Sequence, residues 1–449
     1  MSNQSGDSGM KKSSIRIDFS LVPGKPGIFI ERAAFWDSPT TAQWFKDRGY
    51  ILYRRLEDEN YDIGFDSVPS IAPTAWGQAE YPYAHYDLES SDEVPLRVSD
   101  TEVHESEALK LSISGKVFFA QDSLNRHVAI KIVRADTDEL KIFDFLKLQS
   151  LATLEENCVI PVLDILPADG FSFVVTPRWG TLVETPFPQR LRGAMTMIHS
   201  MLKGLNFLHK HNIAHRDIKA GNFLVNHFGD DYRLSGSTVR DDLRSKGLLS
   251  YALFDFDHSV MLPPEGDRTQ YRLPYYESWG TINVVTDTAQ GEHDFNPFVF
   301  DVGALGRLFC VRFQHLSREI PIFAPFLDKL TTRKLESRFT AAEALHFFEE
   351  VMLQSLKTEL DRPIDPEDPT MLGYPYYEYD RWATVPSDFA KKWAHCREPL
   401  LPWTIRLLRK ICRTSWGCHN VPRIRLFFFR SFVFLRRLTS CFFGLQAKK

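Results

Sequence analysis

The sequence predicts an α+β fold, and three features carry that reading. Between 111 and 175, short stretches alternate or run apolar as strands do: 111–120, 128–133 and 171–175. A helical stretch at 136–151 lies among them. A longer helix at 189–210 follows, with Ile198, Leu202, Leu205 and Leu208 on one face. Strands early and helices late is the order of an α+β chain.

The elements can be taken in chain order. Residues 1–14 are rich in Ser, Gly and Asn and are expected to be disordered. They hold no apolar signal-peptide core. Ser38 and Thr40 suit the start of a helix through Trp44 and Phe45, closed by Gly49, and Ile51-Leu52-Tyr53 reads as a short strand. Residues 57–105 mix acids, prolines and aromatics, so 27–105 reads as an extension packed on a larger domain.

Lys131 sits inside the apolar strand 128–133 and needs a partner, because an unpaired buried ammonium is costly. The following helix offers Asp138, Glu139 and Asp144. Glu139 could instead close a capping box with Asp136. The strand 171–175 runs into Thr176-Pro177-Arg178-Trp179-Gly180. The long helix leads into a polar knot with an apolar frame, Ile213-Ala214-His215-Arg216-Asp217-Ile218-Lys219-Ala220-Gly221-Asn222-Phe223-Leu224-Val225. There Asp217 could accept a hydroxyl proton, Lys219 could neutralise a phosphoryl group and Asn222 could hold a metal by its amide oxygen. Residues 227–247 read as an exposed insertion loop. After it, Tyr251-Ala252-Leu253-Phe254-Asp255-Phe256-Asp257 ends an apolar strand on acids suited to Mg²⁺.

The knot resembles the His-Arg-Asp-(four residues)-Asn catalytic loop of protein kinases, and Val128-Ala129-Ile130-Lys131 resembles their small-lobe lysine strand. The resemblance extends in order over about 106–350 and implies a two-lobed protein kinase-like fold. It implies that Asp217 and Lys219 are catalytic, that Asn222 and Asp255 bind Mg²⁺, and that Lys131, paired with Glu139, clamps ATP phosphates. Gly115, Val117, Ala129, Thr176, Pro177, Trp179 and Leu224 would complete the nucleotide site, with Thr176 as gatekeeper and the Trp179 amide as hinge donor. Against the family's glycine-rich loop only Gly115 remains; the two earlier positions fall on Lys110 and Ser112. Asp257 replaces the glycine of Asp-Phe-Gly.

Residues 258–292 match the activation loop, where Arg216 would pair with a phosphate added by an upstream kinase. Thr281 matches the family threonine that bridges the catalytic Asp and Lys. Asp301 matches the aspartate supporting the catalytic loop, and Arg338 the partner of Glu292. Lys219 favours Ser/Thr hydroxyls of protein substrates.

The implied organisation is 1–26 disordered, 27–105 extension, 106–180 N-lobe and hinge, 181–355 C-lobe, and 356–449 a Pro/Tyr-rich segment with a basic tail. Single glycine, Asp257 and a degraded Ala-Pro-Glu at 289–292 leave a second reading open, a pseudokinase scaffold that binds nucleotide without transferring phosphate.

Charge is divided unevenly. After Glu398 there are eleven Lys and Arg and no acid, which leaves 1–398 at −15. The apolar runs within 402–441 are broken by Arg430, Arg436 and Arg437 and fall short of a spanning helix. The tail could lie on an anionic membrane or dock on the acidic body; nucleic acid is the weaker partner. The six cysteines form no CxxC pair, and a reducing compartment, cytoplasm or nucleus, fits them.

Overall fold

The computed structural model describes residues 15–17, 19, 28–55, 67–71, 80–86, 115–181, 183–228, 238–278, 291–366, 376–399 and 401–446. Lys110, Ser112, Thr281, Ala289 and Gln290 lie outside them. The chain divides into two compact units, Met1–Pro186 with Leu224–Tyr251, and Phe187–Phe223 with Ala252–Lys449.

The first unit begins with helices α1 (Ile28–Asp37) and α2 (Pro39–Lys46), then the short strands β1 (Ile51–Leu52), β2 (Arg54–Arg55), β3 (Ser67–Val68) and β4 (His85–Tyr86). Strands β5 (Val117–Gln121) and β6 (His127–Arg134) come next, then helices α3 (Asp138–Lys147) and α4 (Leu151–Glu156), then β7 (Asp164–Ala168) and β8 (Phe171–Pro177). Five strands form one antiparallel sheet in the order β1-β5-β6-β8-β7. Its edge strand β1 therefore comes from the N-terminal extension.

Because side chains alternate across a strand, the register sorts the sheet into two faces. Phe118, Ile130, Ile132, Phe173 and Val175 point into a core shared with Trp36, Trp44 and Phe45 of α1 and α2. Trp36 stacks on Phe118 with centroids 4.9 Å apart, and Phe45 meets Phe173 edge-on at 4.8 Å. Val117 pairs with Lys131, Lys131 with Val174, and Ala129 with Thr176, so these side chains share the opposite face.

Three expectations for this unit change. The helix expected at 136–151 is two helices, each opened by a side-chain cap, Thr137 on Leu140 N and Ser150 on Thr153 N. That removes the capping-box alternative for Glu139. Strand β8 runs two residues past 175 and stops at Pro177, which has no N–H to carry the ladder further. The insertion expected as an exposed loop is built into the unit over its described part. Phe228 and His227 pair in parallel with β4, and the helix Thr238–Ser245 buries Leu243 and the whole of Arg240. Arg240 donates to the His227 Nδ1 and carbonyl and to the Thr185 carbonyl. Helical periodicity was hidden there because the buried side chain is an arginine.

The second unit is helical. Helix α5 (Leu191–Lys210) buries one face, as its leucine spacing predicts. The helix Pro297–Phe313 packs on the helix Phe323–Thr331, closely enough that a Cβ at Gly306 would stand 2.5 Å from Leu330 Cβ. Thr340 and Glu343 form a capping box that opens the helix Ala341–Phe347. Residues 376–399 are tied to this core by polar contacts. Arg381 pairs with buried Asp328 at 2.7 Å, and the Trp382 indole donates to the same carboxylate. The tail forms two helices, Trp403–Cys412 and Ser415–Gln446.

Candidate functional site

In the first unit, the residues assigned to nucleotide binding are set by the sheet register. Lys131 Nζ lies 2.6 Å from Glu139 Oε1, an ion-pair contact outside hydrogen-bond angles, with both side chains nearly buried. Asp138 pairs instead with Lys141 on the surface. Val117, Ala129 and Thr176 share the Lys131 face of the sheet. Pro177 ends β8. On either side of Trp179, Arg178 N donates to the His127 carbonyl and Gly180 N to the Val225 carbonyl. The Trp179 N–H makes no hydrogen bond among the described residues, and its indole donates to the Pro82 carbonyl. Leu224 is buried in the short strand Phe223–Val225.

Gly115 adopts φ +60, a left-handed conformation suited to glycine. Its carbonyl accepts a hydrogen bond from Trp36 Nε1 at 3.0 Å, so α1 pins the surviving glycine. No motif spacing pointed to Trp36; an apolar-rich helix before a degraded glycine loop was the only signal.

A buried polar cluster lies beside the end of β8. Tyr53 donates to His127 Nδ1 and receives a hydrogen bond from Arg178. Burial, reinforced by the Arg178 charge, holds the His127 imidazole down at about 3. Burial and then Arg240 do the same to His227, also to about 3. Both rings are neutral in the folded protein at neutral pH.

In the second unit, the polar knot is held from beneath by Asp301, which is fully buried. Asp301 Oδ1 accepts from Arg216 N, and Oδ2 from His215 N, each at 2.7 Å. His209 Nε2 lies 3.1 Å from the same carboxylate. This clamp holds Arg216 at φ +68, a strained conformation for a residue with a Cβ. His215 is fully buried, which lowers its pKa. Its Nε2 faces the Phe254 carbonyl at 2.9 Å and its Nδ1 faces Asp217 N–H, so Nε2 carries the proton.

Asp217 is thereby placed as a one-sided acid. Its Oδ2 accepts from Lys219 Nζ at 2.6 Å and Asn222 Nδ2 at 2.9 Å. Its Oδ1 is buried and has no hydrogen-bond partner among the described residues. Asn222 Nδ2 also donates to the Asp217 carbonyl, which turns its planar amide so that Oδ1 points away from Asp217.

Asp255 has φ +67, a second strained residue, and buried Phe256 packs on the His215 ring. The Asp255 and Asp257 carboxylates approach within 4.8 Å of each other. Two carboxylates and an amide oxygen are hard donors, a set whose chemistry fits Mg²⁺.

The Arg216 guanidinium, expected to await a phosphate, meets Glu277 twice, at its carboxylate (3.1 Å) and its carbonyl (2.7 Å). Sequence reading singled out hydroxyls in this segment and passed over Glu277. Arg338 donates to the Thr332 and Val299 carbonyls, and Glu292 meets Arg425 of the tail helix at 3.4 Å.

The protein kinase domain family matches residues 113–235. Over that stretch the chain is similar to protein kinases. Its α+β fold, a sheet-bearing unit and a helical unit, fits a kinase-like fold. The chain is 29% identical over 126 residues to the mitogen-activated protein kinase HOG1 of Ustilaginoidea virens, covering 25% of this chain and 34% of the relative. It is 26% identical over 160 residues to the serine/threonine-protein kinase dst4 of Dictyostelium discoideum, covering 33% and 32%. With the serine/threonine-protein kinase 10-A of Xenopus laevis it shares 24% identity over 243 residues, 51% of this chain and 26% of the relative. The matched part of the chain thus spans about a third or less of the length of these relatives.

Proposed function

We propose that this protein transfers the γ-phosphoryl group of ATP to serine or threonine hydroxyls of protein substrates. The observation that carries the reading is the asymmetry of Asp217, one oxygen held by Lys219 and Asn222, the other buried with no hydrogen-bond partner among the described residues. A buried carboxylate oxygen without a donor is a liability unless a substrate hydroxyl supplies one. In the proposed reaction the hydroxyl donates to Asp217 Oδ1, its oxygen attacks the γ-phosphorus, and the bond to the β-phosphate oxygen breaks. Lys219 neutralises charge on the transferred group. Lys131, steadied by Glu139, holds the ATP phosphates. Val117, Ala129, Thr176, the Pro177 carbonyl, the Trp179 amide and Leu224 receive the rest of the nucleotide, and Gly115 covers its phosphates. Asn222 and Asp255 would hold Mg²⁺, which when bound offsets the negative charge of the β- and γ-phosphates.

Protein substrates and an upstream kinase acting on 258–292 belong to this reading, as does a cytoplasmic or nuclear location. Among the described residues no helix is long and apolar enough to cross a membrane.

The pseudokinase scaffold is favoured by the thinned glycine loop, the degraded Ala-Pro-Glu at 289–292 and the exposed Asp257 carboxylate where the family has glycine. A paired assay separates the two. Mg·ATP at about 100 times its dissociation constant should raise stability by about 2.7 kcal/mol in either case. Labelled phosphate should enter protein with the wild type and not with Asp217→Asn. Nucleotide stabilisation without phosphate transfer by the wild type would leave the scaffold.

A further inference from the structure

The tail helix Ser415–Gln446 has two differently occupied faces. One is docked on the second unit. Val421 lies against Gly291, whose φ of +81 and lack of a side chain make room; a Cβ there would stand 2.4 Å from Val421 Cγ1. Arg425 meets Glu292, and Phe429 packs on His293 at 5.3 Å. The preceding helix Trp403–Cys412 is anchored too, with buried Arg409 over the Tyr377 ring and Arg413 donating to the Tyr377 hydroxyl.

The other face is apolar and open. Trp416, Ile424, Phe427 and Phe428 are 60%, 47%, 66% and 66% exposed. At about 100° per residue they fall within an arc of about 120°. Arg423 and Arg430, both exposed, border that arc, Arg423 at a groove it shares with Tyr275, Tyr276 and Leu426. Trp403 on the shorter helix is 74% exposed. Scattered exposed apolar residues are ordinary, but a contiguous row of large ones edged by cations marks an interaction surface.

We propose that this face is a docking surface for an anionic lipid bilayer, on which the tail helix lies flat with the Trp416–Phe428 row in the headgroup–acyl boundary. Charge selects this occupant. The eleven cations after Glu398, with no acid among them, would repel the same face of a second copy, whereas anionic headgroups neutralise them. Aromatic side chains suit the bilayer interface. The docked face explains the orientation, since Val421, Arg425 and Phe429 fix which side of the helix is presented. The proposal does not depend on phosphoryl transfer.

The test is vesicle co-sedimentation of the full chain with phosphatidylcholine alone and with phosphatidylcholine containing phosphatidylserine. The wild type should bind the anionic vesicles at least about 10-fold more tightly, and more weakly as salt rises. The variant Ile424→Asp/Phe427→Asp/Phe428→Asp should lose that binding by about 10-fold or more while keeping the wild-type melting temperature, because all three side chains are exposed. Arg423→Gln/Arg430→Gln should narrow the preference for anionic vesicles. Failure of the wild type to bind, or equal binding by the triple variant, would overturn the proposal. So would a concentration-dependent dimer, seen by sedimentation and abolished by the triple variant in a chain that ignores vesicles; that result assigns the face to a second copy.

Discussion

The two units solve the same problem, holding polar groups in fixed places, by opposite means. In the second unit the chain itself supplies the clamp: Asp301, which His209 also contacts, fastens the backbone of His215 and Arg216, and Lys219 and Asn222 fasten Asp217. In the first unit the clamp is added from outside the segment that carries the motifs. Helices α1 and α2 bury one face of the sheet, strand β1 extends its edge, the helix Thr238–Ser245 buries Arg240 against the Thr185 carbonyl, and Trp36 reaches Gly115. Where a motif is intact its support is polar and buried; where a motif has thinned to one glycine, support comes from apolar packing by an extension.

That contrast can be broken by substitution. Asp217→Asn should have the largest effect, lowering phosphoryl transfer by about 10²- to 10⁴-fold while leaving nucleotide affinity and stability nearly unchanged. Single-turnover labelling and thermal shift with Mg·ATP read the two quantities separately. A parallel loss of stability would mean that Asp217 holds the loop and does no chemistry.

Trp36→Ala should act the other way round. Removing this fully packed indole should destabilise the first unit by about 3–5 kcal/mol, read as faster amide exchange in β5 and β6 than in α5. Trp36→Phe keeps most of the packing and deletes the hydrogen bond to Gly115, so nucleotide affinity should fall about 5-fold at nearly unchanged stability. Unaltered affinity in Trp36→Phe would sever the link between the extension and Gly115.

Acid should weaken the first unit through His127 and His227. Their pKa values are held at about 3 in the folded protein, against about 6.5 when unfolded. The unfolded chain binds protons that the folded chain refuses, so stability is fully present above about pH 6.5 and falls as pH drops toward 3. The slope is about 1.4 kcal/mol per pH unit for each ring. Urea midpoints between pH 7 and 5.5, above most carboxylate titration, isolate the histidines; His227→Gln should flatten the slope. His215, neutral by burial in the second unit, contributes with the same sign.

Glu277→Gln should be the mildest change. The pair with Arg216 is partly exposed, so its loss should cost about 1 kcal/mol and slow phosphoryl transfer about 5-fold. No change in rate would show that the Glu277 carbonyl alone holds Arg216.

Much of this was legible in the residues. The strands 128–133 and 171–175, the helix at 189–210, the need of Lys131 for an acid and the grouping of Asp217, Lys219 and Asn222 all follow from local period and residue chemistry. Those signals survive because each lies within a few residues of its partner or within one strand. Other features depended on contacts between segments far apart in sequence. Trp36 and Gly115 are 79 residues apart, and Arg216 and Glu277 are 61. No periodicity encodes such pairs. The insertion hid its helix because Arg240, a residue read as surface, is the one fully buried.

By itself the sequence carried the α+β class, the resemblance to protein kinases and the grouping of Asp217, Lys219 and Asn222 as candidate reacting groups, since hydrophobic period and residue chemistry are local properties. Only the tertiary structure decided that Glu139 meets Lys131, that Asp217 Oδ1 has no hydrogen-bond partner among the described residues, and which side of the tail helix stays open. Those outcomes depend on where the backbone brings distant groups and on what burial does to their charge.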